Sequence, residues 1–562
     1  MKKIFLLLFF VPLISLAKNN KTNNNSNSLT ITISKNKFGI DENKSIIISS
    51  IPNINDYSDL FGYEKLFIKL GNDTYTFSVV PKSINYSNSY EVNNDLKKYN
   101  LYFTPLPIVF IKTENKIIDE PKVLADFVYS DSTDVIVSKI GIEIRGGFSQ
   151  TFPKKTYDLE FWDDELGNDT KNISFGKLRS DDDWILDALY NEPLRIRSYV
   201  ANKLWLDFNT PYYINDEPDA KSGSDLMYVE MFLNSKYNGL YNLQEQVDRK
   251  QLKLKKYKNE IRGELYKGIG HDANFKILKD YDNKINTWSG WELKYPKEND
   301  IIDWKNLHDF TDFIINSPNN LFINGIWEKF DVDNYINYFL FLNLIKADDN
   351  TGKNTYLATY NSDEPYFYIP WDLDACFGSW WDGSYDNNNT DVILSNGFFE
   401  RVNKTDSNIL KKISTKWFFL RETTFSYENV SNLISKQYYF LNNNKMYERE
   451  ALIYPNYKFD YDAFTYTITW IKDRLDFLDL YFGNILLNNE PEIKIYPNPS
   501  TDKIFIISSK FSLTNKYYSI YNNIGQLITK NIMKDNYVDI SILENGIYIL
   551  LINDKSIKFI KE

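Results

Sequence analysis

The chain has one cysteine, Cys376, and two histidines, His271 and His308. A single cysteine excludes an intramolecular disulfide. So few thiols and imidazoles come close to excluding a zinc centre of His/Cys type. They also argue against a Ser-His or Cys-His nucleophile system, unless one of the two histidines serves. Beyond the first residues, no apolar run reaches about 18 residues, so no transmembrane helix is expected. Positive charge is not in excess. The net charge of −11 argues against nucleic acid and anionic membranes as main partners. Catalysis must then rest on carboxylates, lysine, arginine, asparagine and a hard cation. Apolar and aromatic residues are plentiful, at 43% and 16% of 562 residues. That is enough for sizeable cores in roughly two to four domains.

The chain opens with Lys2 and Lys3, an apolar run from Ile4 to Leu16, and Ser15-Leu16-Ala17. This pattern predicts a secretory signal peptide over 1–17, too short to span a membrane. Residues 18–28, rich in Asn, Ser and Lys, read as a polar spacer. From 29 to 103, short alternating segments (Leu29–Ile33, Ser45–Ser49, Leu66–Leu70, Tyr75–Val79) predict a β-rich N-terminal domain, a small sandwich. A larger α+β region follows over 104–485. Helices are expected at 193–208, 304–316 and 331–346, the last capped by Asp331. Residues 486–492 read as a linker, and 493–562 as a compact antiparallel sandwich.

Two constellations in the central region carry chemistry. In the first, Asp349 precedes Asn354 by five positions, and Asp372 and Asp374 follow one strand-turn-strand later. Protein kinases use that order: a base Asp, an Asn metal ligand five residues on, then a metal-binding Asp. Phosphoryl transfer needs positioning and charge neutralisation, so this is a near-minimal set. In the second, Ile140, Ile142 and Ile144 alternate before Arg145-Gly146-Gly147-Phe148-Ser149. Lys154 and Lys155 then open a return strand with Tyr157, Leu159 and Phe161. Glycines let backbone approach a phosphate closely, and a lysine supplies a point charge for its oxygens. Either lysine fits that role. The aromatic, acidic segment Ser379–Thr390 reads as a lid or surface loop. The basic run Arg249–Lys258 reads as a solvated helix face.

Five ordered blocks resemble the CotH kinase family, atypical secreted kinases. They are Leu106–Ile111; Ile144–Ser149 with Pro153–Tyr157; Trp184–Ala188 with Leu194–Ala201; Val229–Asn234 with Tyr237–Asp248; and Asp349–Asn354 with Pro370–Asp374 and Phe377-Gly378. The resemblance implies an α+β, atypical protein-kinase-like central domain between the two β-rich ends. It implies transfer from ATP, with Mg²⁺ or Mn²⁺, to Ser or Thr of an extracytoplasmic protein. Carried over, Asp349 is the base. Asn354 and Asp372 hold metal, with Asp374 as a further ligand, and Lys154 or Lys155 reaches the phosphates. Arg145, Gly146, Gly147, Ser149, Arg197 and Glu245 lie around the nucleotide. The tail, with Ile495–Pro499, Ile520–Gln526, Leu543–Tyr548 and Lys558–Lys561, resembles a type IX secretion C-terminal sorting domain. That implies the type IX machinery as a partner and a secreted or cell-surface location. A non-catalytic surface adhesin is the alternative. A carboxylate-pair glycoside hydrolase has the acids and tryptophans it needs, but it leaves the glycine hairpin and its lysines unexplained.

Overall fold

A computed structural model describes residues 27–562 except 52, 96, 387–388, 458–460, 488–492, 509–512, 514 and 553–554. The expected signal peptide and most of the spacer and linker lie outside the described residues.

The first alternating segments pair into one seven-stranded mixed sheet over 28–103, not two separate sheets. Strand Ser28–Ile33 runs parallel to Lys65–Leu70, and Ile46–Ser49 parallel to Lys98–Phe103. Its alternate residues enclose a single core that includes Ile31, Ile47, Leu66, Tyr75 and Leu101.

The next strands close into a seven-stranded barrel. Ile108–Lys112 lies parallel to Leu226–Leu233, which closes the ring across more than a hundred residues of sequence. The predicted hairpin forms two of its strands, Val135–Arg145 and Thr156–Trp162, in register from Lys139↔Trp162 to Arg145↔Thr156. Ile140, Ile142, Leu159 and Phe161 point inward, against Phe127, Phe175 and Trp184. Each such side chain contributes about 1.5–3 kcal/mol by leaving water.

Beyond the barrel lies a five-stranded sheet backed by helices. The helix expected at 193–208 starts at Arg197, because Arg195 adopts φ +60 and breaks the helical path. Helix Val332–Ile345 is capped by Asp331, whose carboxylate accepts from the Asp333 and Asn334 amides. Every residue from Asn334 to Ile345 is buried, so it is a core helix, not a one-faced surface helix. Helices from Gly397–Thr405 to Tyr461–Leu487 pack around it. An apolar seam joins barrel residues Ile185 and Val247 to Tyr356, Phe367, Ile369 and Trp371 of the sheet. The functional candidates lie along that seam.

The basic run forms only one helical turn, Arg249–Leu252, with Leu252 buried. The C-terminal strands form a three-stranded and a four-stranded sheet about a shared core of Ile504, Ile520, Leu550 and Phe559. This unit rests on two helices, with Lys503 paired to Asp476 of Tyr461–Leu487 and Tyr496 packed on Phe418 of Ser407–Arg421.

Candidate active site

The floor of the site begins where the core helix stops. Lys346 takes φ +52, and its ammonium pairs with Asp348 at 2.9 Å and Asp386 at 2.6 Å. The chain then makes a 3₁₀ turn, Asp349–Thr351. Buried Asn350 ties this turn to the sheet. Its amide donates to Trp371 O at 2.8 Å and to Asn354 O. The Trp371 amide also donates to Asn354 O, at 3.1 Å. One carbonyl thus gathers the base candidate's turn, Asn354 and the residue before Asp372. Asn354 and Asp372 both sit in the left-handed region, at φ +56 and +54. Such conformations cost about 1–3 kcal/mol in a non-glycine residue and persist where surrounding structure enforces them, often at active sites.

Asp372 is exposed, yet protein surrounds it on its other sides, as at the bottom of an open cleft. Burial pushes its carboxyl above the ordinary range. Arg145, Lys267 and Lys353 oppose that shift, and Asp349 adds to it. Asp374 is raised further, by burial and then by Asp372 and Asp187, although Asn191 donates to it at 2.6 Å. Asp187 is raised by burial and again by Asp372. Asp349 lies 3.7 Å from Lys353 and 3.8 Å from His271. These carboxylates repel one another along one cleft.

The predicted hairpin tip forms the roof. Gly146 has φ +109, and a Cβ there would meet Ser149 Oγ at 2.0 Å, so the turn requires glycine. Gly147 faces open space. Phe148 meets Trp381 edge-to-face at 4.7 Å, bringing the tip to the 379–386 loop. The two lysines diverge. Lys155 donates to Gln150 O and Phe152 O and closes its own turn. Lys154 is fully buried, 2.8 Å from Glu450 Oε1, donating to Leu240 O and lying over the Tyr241 ring. Arg195 pairs with the same carboxylate at 3.0 Å. Burial, and the guanidinium sharing Glu450, push the Lys154 ammonium down to about 8, while the two cations hold Glu450 low. Gly239, at φ +93, admits Glu450, because a Cβ there would lie 2.0 Å from its Oε1.

The family profile described as CotH kinase protein matches residues 142–478, more than half of the chain. The chain belongs to the CotH kinase family. A second profile, the secretion system C-terminal sorting domain, matches 494–562. It marks this CotH-family protein for export through the type IX system to the cell surface or beyond. No helix among the described residues is long and apolar enough to cross a membrane. A search of curated proteins gave no match.

Not every residue inferred from the CotH resemblance reaches the cleft. Arg197 is buried at the start of its helix, its guanidinium 3.3 Å from Thr467 Oγ1 and its amide bonded to Glu192. Glu245 accepts from the Arg179 amide at 2.8 Å, Lys221 at 3.2 Å and Gln251 at 3.1 Å. Both are buried, Glu245 among these donors and Arg197 with Nε and Nη1 lacking a hydrogen-bond partner among the described residues. Arg145 does border the cleft. Its guanidinium stacks over Trp371 at 5.1 Å and contacts Asp158 at 3.3 Å. Lys267, Asn350 and Glu450 were missed. The one available signal was a lysine inside the otherwise buried strand Glu264–Gly268.

The cleft donors are carboxylates and an amide, which suits Mg²⁺ or Mn²⁺ and not a soft metal. Their mutually raised carboxyls are what a divalent cation relieves. Among the described residues, the only three acids close enough to form a cluster by themselves are Asp181, Asp183 and Asp248. The cleft therefore fits the Mg²⁺ pattern of one or two carboxylates completed by substrate phosphates and water.

Proposed function

We propose that the protein is a secreted or surface-attached kinase that transfers the γ-phosphate of ATP to Ser or Thr of an extracytoplasmic protein. One observation carries this reading: a single backbone knot at Asn354 O gathers the turn of Asp349, Asn354 itself and the segment of Asp372. The reading takes 104–485 as a kinase-like domain with barrel and helical lobes. It takes 29–103 as an accessory β domain, 493–562 as the sorting domain and 1–17 as a signal peptide.

A divalent cation held by Asp372 and Asn354, with Asp374 nearby, would neutralise charge on the β- and γ-phosphate oxygens. Asp349 orients the acceptor hydroxyl. The acceptor oxygen bonds to the γ-phosphorus as the bond to the β–γ bridging oxygen breaks. ADP leaves, and the hydroxyl proton passes to the Asp349 carboxylate. The Gly146-Gly147 tip covers the phosphates, and its contact with Trp381 limits entry of water. Lys154, held by Glu450 and the Leu240 carbonyl, braces the hairpin from behind.

The test is phosphotransfer from labelled ATP, with Mg²⁺ or Mn²⁺, to a Ser-rich acceptor. The proposal expects label that Asp349→Asn abolishes. Full labelling by that variant would remove Asp349 from its role. A second reading, a surface protein that binds nucleotide without transferring phosphate, draws on the sealing of Lys154 by Glu450 and Leu240 O. Tight ATP binding without label would favour it.

A further inference from the structure

Lys154 is closed to a phosphate, because its ammonium is fully buried and donates to Glu450 and Leu240 O. Another lysine stands differently. Lys267 lies in strand Glu264–Gly268, paired across the sheet with Tyr356 on one side and Glu292 on the other. The Tyr356 ring meets Trp371 edge-to-face at 5.7 Å, and Arg145 stacks over Trp371. Lys267 and Arg145 thus border one aromatic shelf, immediately before Asp372. Among the described residues, the Lys267 side chain makes no hydrogen bond and has no carboxylate within ion-pair distance. Arg145 shares its one carboxylate, Asp158, with Lys122 at 3.1 Å and Gln246 at 3.0 Å.

Two cations set side by side are unfavourable in a partly enclosed site, and Asp372 and Glu292 offset this for Lys267 only from beyond pairing distance. Burial pushes the Lys267 ammonium down to about 8, with Arg145 and Lys294 adding to the effect. An anion with several oxygens relieves both. Arginine offers it a planar fork and lysine a point charge. The shelf beside the metal candidates suits the polyphosphate of the nucleotide, whose oxygens must meet the cation at Asp372.

We propose that Lys267 and Arg145, not Lys154 or Lys155, are the side chains that grip the nucleotide polyphosphate. This rests on the kinase reading of the same cleft.

The test is calorimetric titration of the mature protein with ATP and with AMP in Mg²⁺, together with thermal melting. Lys267→Met is expected to weaken ATP binding by about tenfold or more, the scale of one charged hydrogen bond, while AMP affinity stays within about twofold. Without nucleotide, Lys267→Met should melt no lower than wild type, since it removes an ammonium that burial pushes down in the folded state. Lys267→Arg should keep most of the ATP affinity. Lys154→Met should lower the melting temperature but keep the ratio of ATP to AMP affinity. An unchanged ratio in Lys267→Met, or a ratio lost in Lys154→Met instead, would overturn the assignment while leaving the kinase reading intact. A wild-type protein that binds neither nucleotide would remove both.

Discussion

The short barrel strand Asp183–Asp187 has an acidic cluster at each end. At one end, Asp183 joins Asp181 and Asp248. Arg179 pairs with Asp181 and, at 3.2 Å, with Asp248; Lys250 pairs with Asp181 at 3.0 Å and with Asp182. At the other end, Asp187 faces Asp372 and Asp374, and none of these three has an ion pair among the described residues. The first cluster looks more like a metal site, because its oxygens already converge. Its charge, however, is already met by two basic side chains. The second is looser, and Arg145, Lys267 and Lys353 act on its Asp372 only from beyond pairing distance. Proximity of acids is therefore a poor guide to where a cation goes; the absence of a directly paired basic side chain is the better one.

Four outcomes would break or sharpen this contrast. The largest effect is expected at Asp349, the proposed base. Asp349→Asn should lower phosphotransfer by about 10²–10⁴-fold, the usual contribution of a positioned base. ATP affinity and melting temperature should barely change. Second is a compensated cluster deprived of its anion. Glu450→Ala leaves Lys154 and Arg195 buried without a carboxylate. Denaturant unfolding should show a loss of about 3–5 kcal/mol, the scale for breaking a buried ion pair.

Third is the pH response of the looser cluster. Asp372 and Asp374 titrate above the ordinary carboxylate range when folded. As pH rises past about 4, the unfolded chain gives up these protons first, so the folded state loses stability through the raised range. In chelator, Asp374→Asn should therefore melt above wild type by a margin that widens with rising pH. Saturating Mg²⁺ should close that margin by stabilising wild type. A margin that narrows with rising pH would contradict the assigned direction. The smallest effect on the Mg²⁺ response is expected from Asp183→Asn. Burial and its acidic neighbours hold Asp183 up at about 7, so neutralising it should raise melting by a margin that widens up to about pH 7, and Mg²⁺ should leave that margin unchanged.

Much of this site was legible in the sequence because its parts are local. The spacing of Asp349, Asn354 and Asp372 lies within one turn-strand-turn-strand unit, and the Asn350 side chain joins its ends. The Asp331 cap and the alternating hairpin strands are equally local patterns. What was hidden depends on distant pairing. Lys154 and Lys155 are indistinguishable by alternation, and the choice is made by Glu450, 296 residues away. Lys267 reaches the cleft only because its strand pairs with Thr355–Thr359. Arg197 and Glu245 sit in motif-like segments; buried polar contacts meet Glu245, whereas Arg197 keeps Nε and Nη1 buried without a hydrogen-bond partner among the described residues. The barrel closes through the parallel contact of Ile108–Lys112 with Leu226–Leu233, for which no sequence period gives a signal.

The most direct test of the contrast is a Mn²⁺ titration in the presence of ATP, followed by calorimetry, on wild type, Asp372→Ala and Asp183→Ala. The account predicts ATP-dependent Mn²⁺ binding that Asp372→Ala removes and Asp183→Ala retains. Binding that survives Asp372→Ala and disappears in Asp183→Ala would place the cation at the other end of the strand and contradict it.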